Sequence, residues 1–258
     1  MRKKTFKNVF SLIAGYQAEK HIDDTVHLRM DNSVYEEGQV LLIDKPYEWT
    51  SFDAVRKIRN LVRVKKVGHA GTLDPLATGL LIICTGKFTK QINTYMAQEK
   101  EYTGSFMLGA TTPTYDLESE PVDFKPTDYL TSQVIIDATN AFTGEIMQVP
   151  PAHSAIKVDG KRVYELARQG KEVKLEPRKL TIYSFEIMAI ELPRIDFRVV
   201  CSTGTYIRSL AHDFGKALGC GAYLSSLRRT RIGSFKVDDA LSIMQFEEKI
   251  RSDQSING

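Results

Sequence analysis

Residues 67–81 read VGHAGTLDPLATGLL. Among them a single carboxylate, Asp74, sits between Leu73 and Pro75, and Gly68, Gly71 and Gly79 punctuate the run. A carboxylate held among leucines is a candidate nucleophile or electrostatic partner, because apolar neighbours exclude water from it. Pro75 biases Asp74 toward extended backbone angles and so fixes where the carboxylate points. The same letters also write a short helix, with Asp as N-cap, Pro at the first helical position and Gly at the end. Spacing alone leaves both readings open.

The chain around this segment is of globular type. It has 258 residues, 42% of them hydrophobic, and a formal net charge of only +3. A chain of this length buries enough surface to fold without a metal or disulfide staple. The three cysteines, Cys84, Cys201 and Cys220, form no CxxC pair, and the five histidines show no metal-ligand spacing. No stretch approaches the ~18 apolar residues that span a bilayer. The N-terminus, MRKKTFKNVFSLIAGYQAEK, imitates a signal peptide only weakly: its apolar run is short and carries Ser11 and Gly15. It reads instead as an appendage of unknown role over residues 1–38. Charge is unevenly spread. Arg56, Lys57, Arg59, Arg63, Lys65 and Lys66 lie between Ala54 and Leu73 with no acidic residue, a second basic stretch runs from Pro151 to Lys179, and Arg228, Arg229 and Arg231 form a third cluster. Separated basic patches on a near-neutral chain suggest a directed polyanion surface; each patch alone also reads as a solvated face.

The elements that must position Asp74 can be outlined from pattern. QVLLIDKP (39–46) and GLLIICTG (79–86) read as buried strands. TSFDAVRKIRNLVRV starts at Thr50 or Ser51 and repeats Val55, Ile58, Leu61 and Val62 at helical spacing, leaving a cationic opposite face. Helices are expected at 89–98, 131–142, 161–169, 206–218 and 242–250. Strands are expected at 101–109, 179–192, 196–203 and 232–237, with a polar loop at 111–121. There is no regular βαβ alternation, so the class is α+β with a mixed sheet.

Several strings, in order, resemble the TruB family of bacterial tRNA pseudouridine-55 synthases. VGHAGTLDPLATGLL is similar to the family signature, and LLIDKPYEWTSFDAV to its N-terminal DKP motif. KEYTGSFMLGATTPTYD is similar to its second motif, and FTGEIMQVPPAHSAIKVDGKRVYELARQG to its RNA-gripping insertion. CSTGTYIRSLAHDFG and GCGAYLSSLRRTRIG resemble its last two motifs. Together they cover residues 39 to about 240. The resemblance implies the pseudouridine synthase fold, a mixed, mainly antiparallel sheet flanked by helices. It divides the chain into a catalytic domain over 39–250 with an RNA-binding insertion at 144–180, a tail at 251–258 and no C-terminal PUA domain. It implies isomerisation of uridine 55 in the T loop of tRNA by a cytoplasmic monomer that needs no cofactor, metal, membrane or obligatory protein partner.

The resemblance also assigns residues. Asp74 becomes the catalytic aspartate, acting where a sugar anomeric carbon turns cationic. Arg208 pairs with it, since a desolvated carboxylate needs an opposite charge to stay ionised. Tyr102 stacks on the target base, Tyr206 is a second active-site tyrosine, and His69 helps displace the base. Lys45 lies near the site, Leu227 lines the uracil pocket, and Lys157, Arg162 and Arg168 contact phosphate. Extracting a base costs a few kcal/mol, and one aromatic stack returns about 1–3 kcal/mol. The chain departs from the family at Glu48, where Gly is usual, and at Thr112-Pro113-Thr114-Tyr115-Asp116, where Asp116 is kept but the loop around it differs. Two other readings stand beside the enzyme: a non-catalytic tRNA-binding or folding factor of the same fold, and a guide-dependent relative acting on ribosomal RNA, which would carry a PUA domain and extra tails.

Overall fold

The structure, a computed structural model, describes residues 32–151, 157–158, 161–162 and 175–256. In chain order the helices are α1 (Ser33–Glu37), α2 (Ser51–Val62), α3 (Ile92–Ala97), α4 (Ser132–Ala138), α5 (Ile207–Ala217) and α6 (Ile243–Ile256). The strands are β1 (Val40–Lys45), β2 (Val67–His69), β3 (Ala77–Thr85), β4 (Lys100–Leu108), β5 (Gly144–Gln148), β6 (Lys157–Val158), β7 (Lys161–Arg162), β8 (Arg178–Glu191), β9 (Arg194–Cys201), β10 (Ala222–Ile232), β11 (Phe235–Lys236) and β12 (Leu241–Ser242).

β3 is apolar along its whole length because both of its faces are covered, as in a central buried strand. Leu81 and Ile83 pack with Ile43, with the buried side of α2 and with Phe246 and Ile250 of α6. Leu80, Ile82 and Cys84 face the other way, toward Ala70, Ile232 and Val237. α2 forms where the spacing predicts. Thr50 and Asp53 make a reciprocal capping box, and Arg63 closes the helix in the left-handed conformation. Its buried Val55, Ile58 and Val62 each contribute about 1.5–3 kcal/mol of burial.

The sheet has ten strands, ordered β12-β1-β3-β10-β4-β9-β8-β5, with β2 paired to β3 and β11 to β10. Only β1–β12 and β3–β10 are parallel, so it is the mixed, mainly antiparallel α+β sheet that was expected. The largest core cluster joins Phe106, Phe185, Phe197 and Phe214 under α5.

The structure corrects several boundaries. The strand expected at 232–237 holds the last residue of β10, a turn at 233–234 and the short β11; the rest of the long central strand β10 has no counterpart in the sequence-based outline. Its letters, AYLSSLRRTRI, do not alternate, because register shifts against β4 at Leu224/Ser226 and Arg229/Arg231 interrupt the two-residue period. The helices at 89–98 and 131–142 are each part 3-10: Gly86–Gln91 precedes α3 and Thr139–Phe142 follows α4. Residues 251–256, expected as a tail, continue α6. Lys161 and Arg162, expected to begin a helix, form β7 opposite β6; the rest of that helix lies outside the described residues.

Candidate active site

No helix begins at Asp74. The Ala77 N–H donates to the Asp74 carbonyl at 3.1 Å, closing a tight turn that leads straight into β3. Pro75 serves as the second residue of that turn, a place its fixed φ suits. The capping reading is therefore corrected: Asp-Pro here writes a turn at a strand entrance.

Three buried side chains pin the loop before and after Asp74. Arg229, 1% exposed, donates through Nε to the Leu80 carbonyl at 2.8 Å and through Nη2 to the Gly71 carbonyl at 3.1 Å. Ser51 Oγ accepts from the Leu73 N–H at 2.9 Å and donates to the Leu73 carbonyl at 3.2 Å. Lys45 Nζ donates to the carbonyls of Trp49 at 2.6 Å, Pro46 at 2.9 Å and Pro75 at 3.3 Å. Gly79 lets β10 come close enough for this: at φ +103°, a Cβ there would lie 2.3 Å from the Arg229 carbonyl oxygen. Burial lowers the Lys45 pKa to about 8, against the opposing pull of the Asp74 charge. Lys45 is wholly buried, and its hydrogen bonds run to backbone carbonyls beneath the Asp74 turn.

The Asp74 carboxylate meets Arg208 at the start of α5. Arg208 Nε lies 2.8 Å from Asp74 Oδ2 and 3.5 Å from Asp116 Oδ2. Arg208 and Asp116 side chains are each 5% exposed, whereas that of Asp74 is 36% exposed. One buried guanidinium is thus shared by a buried carboxylate and an open one. Asp116 is held firmly. The Glu118 N–H donates to its Oδ1 at 3.0 Å, and the preceding Tyr115 stacks on His212 with ring centres 4.0 Å apart. Sequence reasoning does not name Asp116 as a site residue; its sole signal is an aspartate retained in a loop whose other positions differ.

Asp74 and Arg208 border a cleft of about 300 Å³, lined also by Leu73, Tyr102, Tyr206 and Leu227. That is the size of a small-ligand pocket. Tyr102 stands on β4 beside Arg229 of β10, and burial raises its phenol pKa, so it is neutral. Tyr206 is the N-cap residue of α5. The β9–α5 loop reaches it through Gly204, whose φ of +85° suits glycine. The fold thus brings Asp74, Arg208, Tyr102, Tyr206 and Leu227 together. His69 ends β2 opposite Ile83, half-buried, and is not among the residues lining the cleft; burial lowers its pKa. Lys157 and Arg162 pair through their backbones in the β6–β7 hairpin, and Arg168 lies outside the described residues.

Of the three basic stretches, most of the second, Pro151 to Lys179, lies outside the described residues. Arg228 makes a bidentate pair with Asp44 at 3.0 and 2.7 Å, Arg229 serves buried carbonyls, and Arg231 pairs with Glu99 at 2.6 Å. The third cluster is thus engaged within the protein: Arg229 is buried, while Arg228 and Arg231 are paired with carboxylates and partly open. In the first stretch Arg56 and Lys57 are paired with Asp53 and Glu247. Arg59, Arg63, Lys65 and Lys66 form no ion pair among the described residues, and all but the half-buried Arg59 are exposed.

Comparison with known proteins agrees with this arrangement. Residues 59–207 match the model of the TruB family pseudouridylate synthase N-terminal domain, and residues 208–256 that of the tRNA pseudouridylate synthase B C-terminal domain. The junction falls inside α5, between Ile207 and the Arg208 that meets Asp74. The chain is 57% identical over 224 residues to tRNA pseudouridine synthase B of Flavobacterium johnsoniae, covering 84% of this chain and 98% of that protein. It is 51% identical over 220 residues to the protein of the same name from Phocaeicola vulgatus, covering 83% and 94%. A solved Cbf5–Nop10–Gar1 complex contains a chain 32% identical, with a TM-score of 0.65; the match covers 83% of this chain and 54% of that one, so the present chain spans about half its length. The chain belongs to the TruB family of pseudouridylate synthases.

Proposed function

We propose that this chain isomerises uridine 55 in the T loop of tRNA to pseudouridine, with Asp74 as the catalytic carboxylate. The observation that carries this is the 2.8 Å Asp74–Arg208 pair at the rim of a cleft that also presents Tyr102, Tyr206 and Leu227. The reaction breaks C1′–N1, forms C1′–C5, removes the proton from C5 and returns one to N1, so nothing is consumed. Arg208, 2.8 Å away, offers the carboxylate an opposite charge as the cleft loses water. Asp74, open where Asp116 is buried, is the carboxylate that reaches the ribose, either attacking C1′ or initiating elimination to a glycal. Tyr102 offers a neutral ring for stacking on the extruded base. Tyr206 lies within the same cleft for proton traffic at C5. His69 serves to displace the base, and Lys157, Arg162 and Arg168 contact phosphates of the T arm. The catalytic unit runs from residue 39 to the end of α6 at Ile256, with its insertion at 144–180, and works as a cytoplasmic monomer. No described helix is long and apolar enough to cross a membrane.

Tritium release from a tRNA transcript labelled at uridine C5 tests this reading. Wild-type protein is expected to release one equivalent, and none above background from a transcript with cytidine at position 55. Tight binding without release would instead identify a non-catalytic tRNA-folding factor.

A further inference from the structure

At the mouth of the cleft, Tyr206 caps α5 with no side-chain hydrogen bond of the usual capping kind. Its backbone is held instead by a side chain from a different element. Gln148, the last residue of β5 and 2% exposed, accepts from the Tyr206 N–H through Oε1 at 2.9 Å and donates through Nε2 to the Tyr206 carbonyl at 3.1 Å. Next to it, Ser209 Oγ of α5 donates to the Val149 carbonyl at 2.8 Å. β5 is the edge strand of the sheet, joined to it only through β8 among the described residues. A primary amide carries its donor and its acceptor on separate atoms, so one side chain can hold the N–H and the carbonyl of the same residue at once.

We propose that Gln148 is a positioning residue for the isomerisation: its amide fixes the Tyr206 peptide, and through the first turn of α5 sets where the Tyr206 ring and the Arg208 guanidinium stand against Asp74. This rests on the function proposed above. A geometric lock of this kind acts on turnover more than on affinity, because the reacting groups must be held to a fraction of an ångström. The chain leaves β5 at Gln148 on its way to Lys157 and Arg162, so the same residue joins the two parts of the protein expected to meet RNA.

Two variants and two readouts test it. Gln148→Leu keeps the volume and removes both hydrogen bonds; its kcat is expected to fall at least tenfold, with KM for a T-arm RNA changing less than threefold. Gln148→Glu, when ionised, keeps the acceptor but sets a negative charge against the Tyr206 carbonyl, and protonation restores the donor. Its activity relative to wild type is expected to rise as the pH is lowered from 8 to 5.5. Independently of activity, amide hydrogen exchange at Tyr206 is expected to speed up at least tenfold in Gln148→Leu, while amides in β3 keep wild-type protection. A rise in KM as large as the fall in kcat, a flat relative pH profile for Gln148→Glu, or unchanged exchange at Tyr206 would overturn the proposal. Should wild-type protein release no tritium, the function assigned above fails, while unchanged exchange at Tyr206 would still refute the lock on its own.

Discussion

Removing one member of the Asp74–Arg208–Asp116 group has different consequences at each position. Arg208→Met leaves the buried Asp116 without its cation, and breaking a buried pair from one side costs about 3–5 kcal/mol. The urea midpoint of Arg208→Met is therefore expected to drop well below that of Asp74→Asn, whose carboxylate is partly open to water. A smaller drop than for Asp74→Asn would mean that Arg208 does not carry the buried charge balance. Lys45 gives a prediction in pH. Its pKa is about 8 in the folded protein against an ordinary 10.5. Between those values the unfolded chain holds a proton that the folded chain has released, so the contribution of Lys45 to stability rises with pH across that window, and the cost of burying its charge is felt in full below pH 8. Catalysis should move the opposite way, because neutral Lys45 holds the Pro75 carbonyl less firmly. We expect kcat/KM to fall above pH about 8. Burial also lowers Lys100, at the cleft, to about 8. The alkaline fall should persist in Lys100→Met; its disappearance there would assign it to Lys100.

At the scale of elements, the site depends on a loop clamped by β1, α2 and β10. Ser51→Ala removes the partner of the buried Leu73 N–H, which should cost about 1–3 kcal/mol and reduce turnover several-fold without weakening RNA binding. A loss of binding equal to the loss of turnover would contradict this. Much of this framework was legible in the sequence. The apolar runs at Leu41–Ile43 and Leu80–Cys84 read directly as strands, and α2 carried both a cap and a helical stripe. Asp74, Arg208, Tyr102, Tyr206 and Leu227 were named by family resemblance, and the fold gathers them in one cleft. What could not be read was the work of polar residues inside the fold. Arg229 looked like surface charge, though its hydrogen bonds run to three carbonyls. Ser51 reads as a candidate cap, and Gln148 carries no signal of its own. Each is a buried polar group whose partner lies far along the chain, and hydrophobic pattern carries no record of such a partner. β10 is hard to read for a related reason: its arginines pair with Asp44, Glu99 and backbone carbonyls far along the chain, and its register slips twice.

For the whole molecule, the net charge of +3 conceals a division between paired and unpaired cations. Arg63, Lys65 and Lys66 are exposed and form no ion pair among the described residues, whereas Arg228 and Arg231 are neutralised by Asp44 and Glu99. Replacing Arg63, Lys65 and Lys66 by Gln should weaken tRNA binding and make its salt dependence shallower, by about 0.9 in log K against log salt for each duplex phosphate that is no longer neutralised. The pair Arg228→Gln and Arg231→Gln should leave that slope unchanged while lowering stability. Reversed results would assign the RNA contact to the β10 arginines instead. All of these expectations rest on one carboxylate, set on a pinned turn and facing one arginine. The most direct measurement is single-turnover tritium release from C5-labelled tRNA by wild-type and Asp74→Asn proteins, with the affinity of each for the same tRNA measured in parallel. Release by wild type, none above background by Asp74→Asn, and affinities within a few-fold of each other are expected. Release by Asp74→Asn at the wild-type rate would show that this aspartate does not carry the reaction.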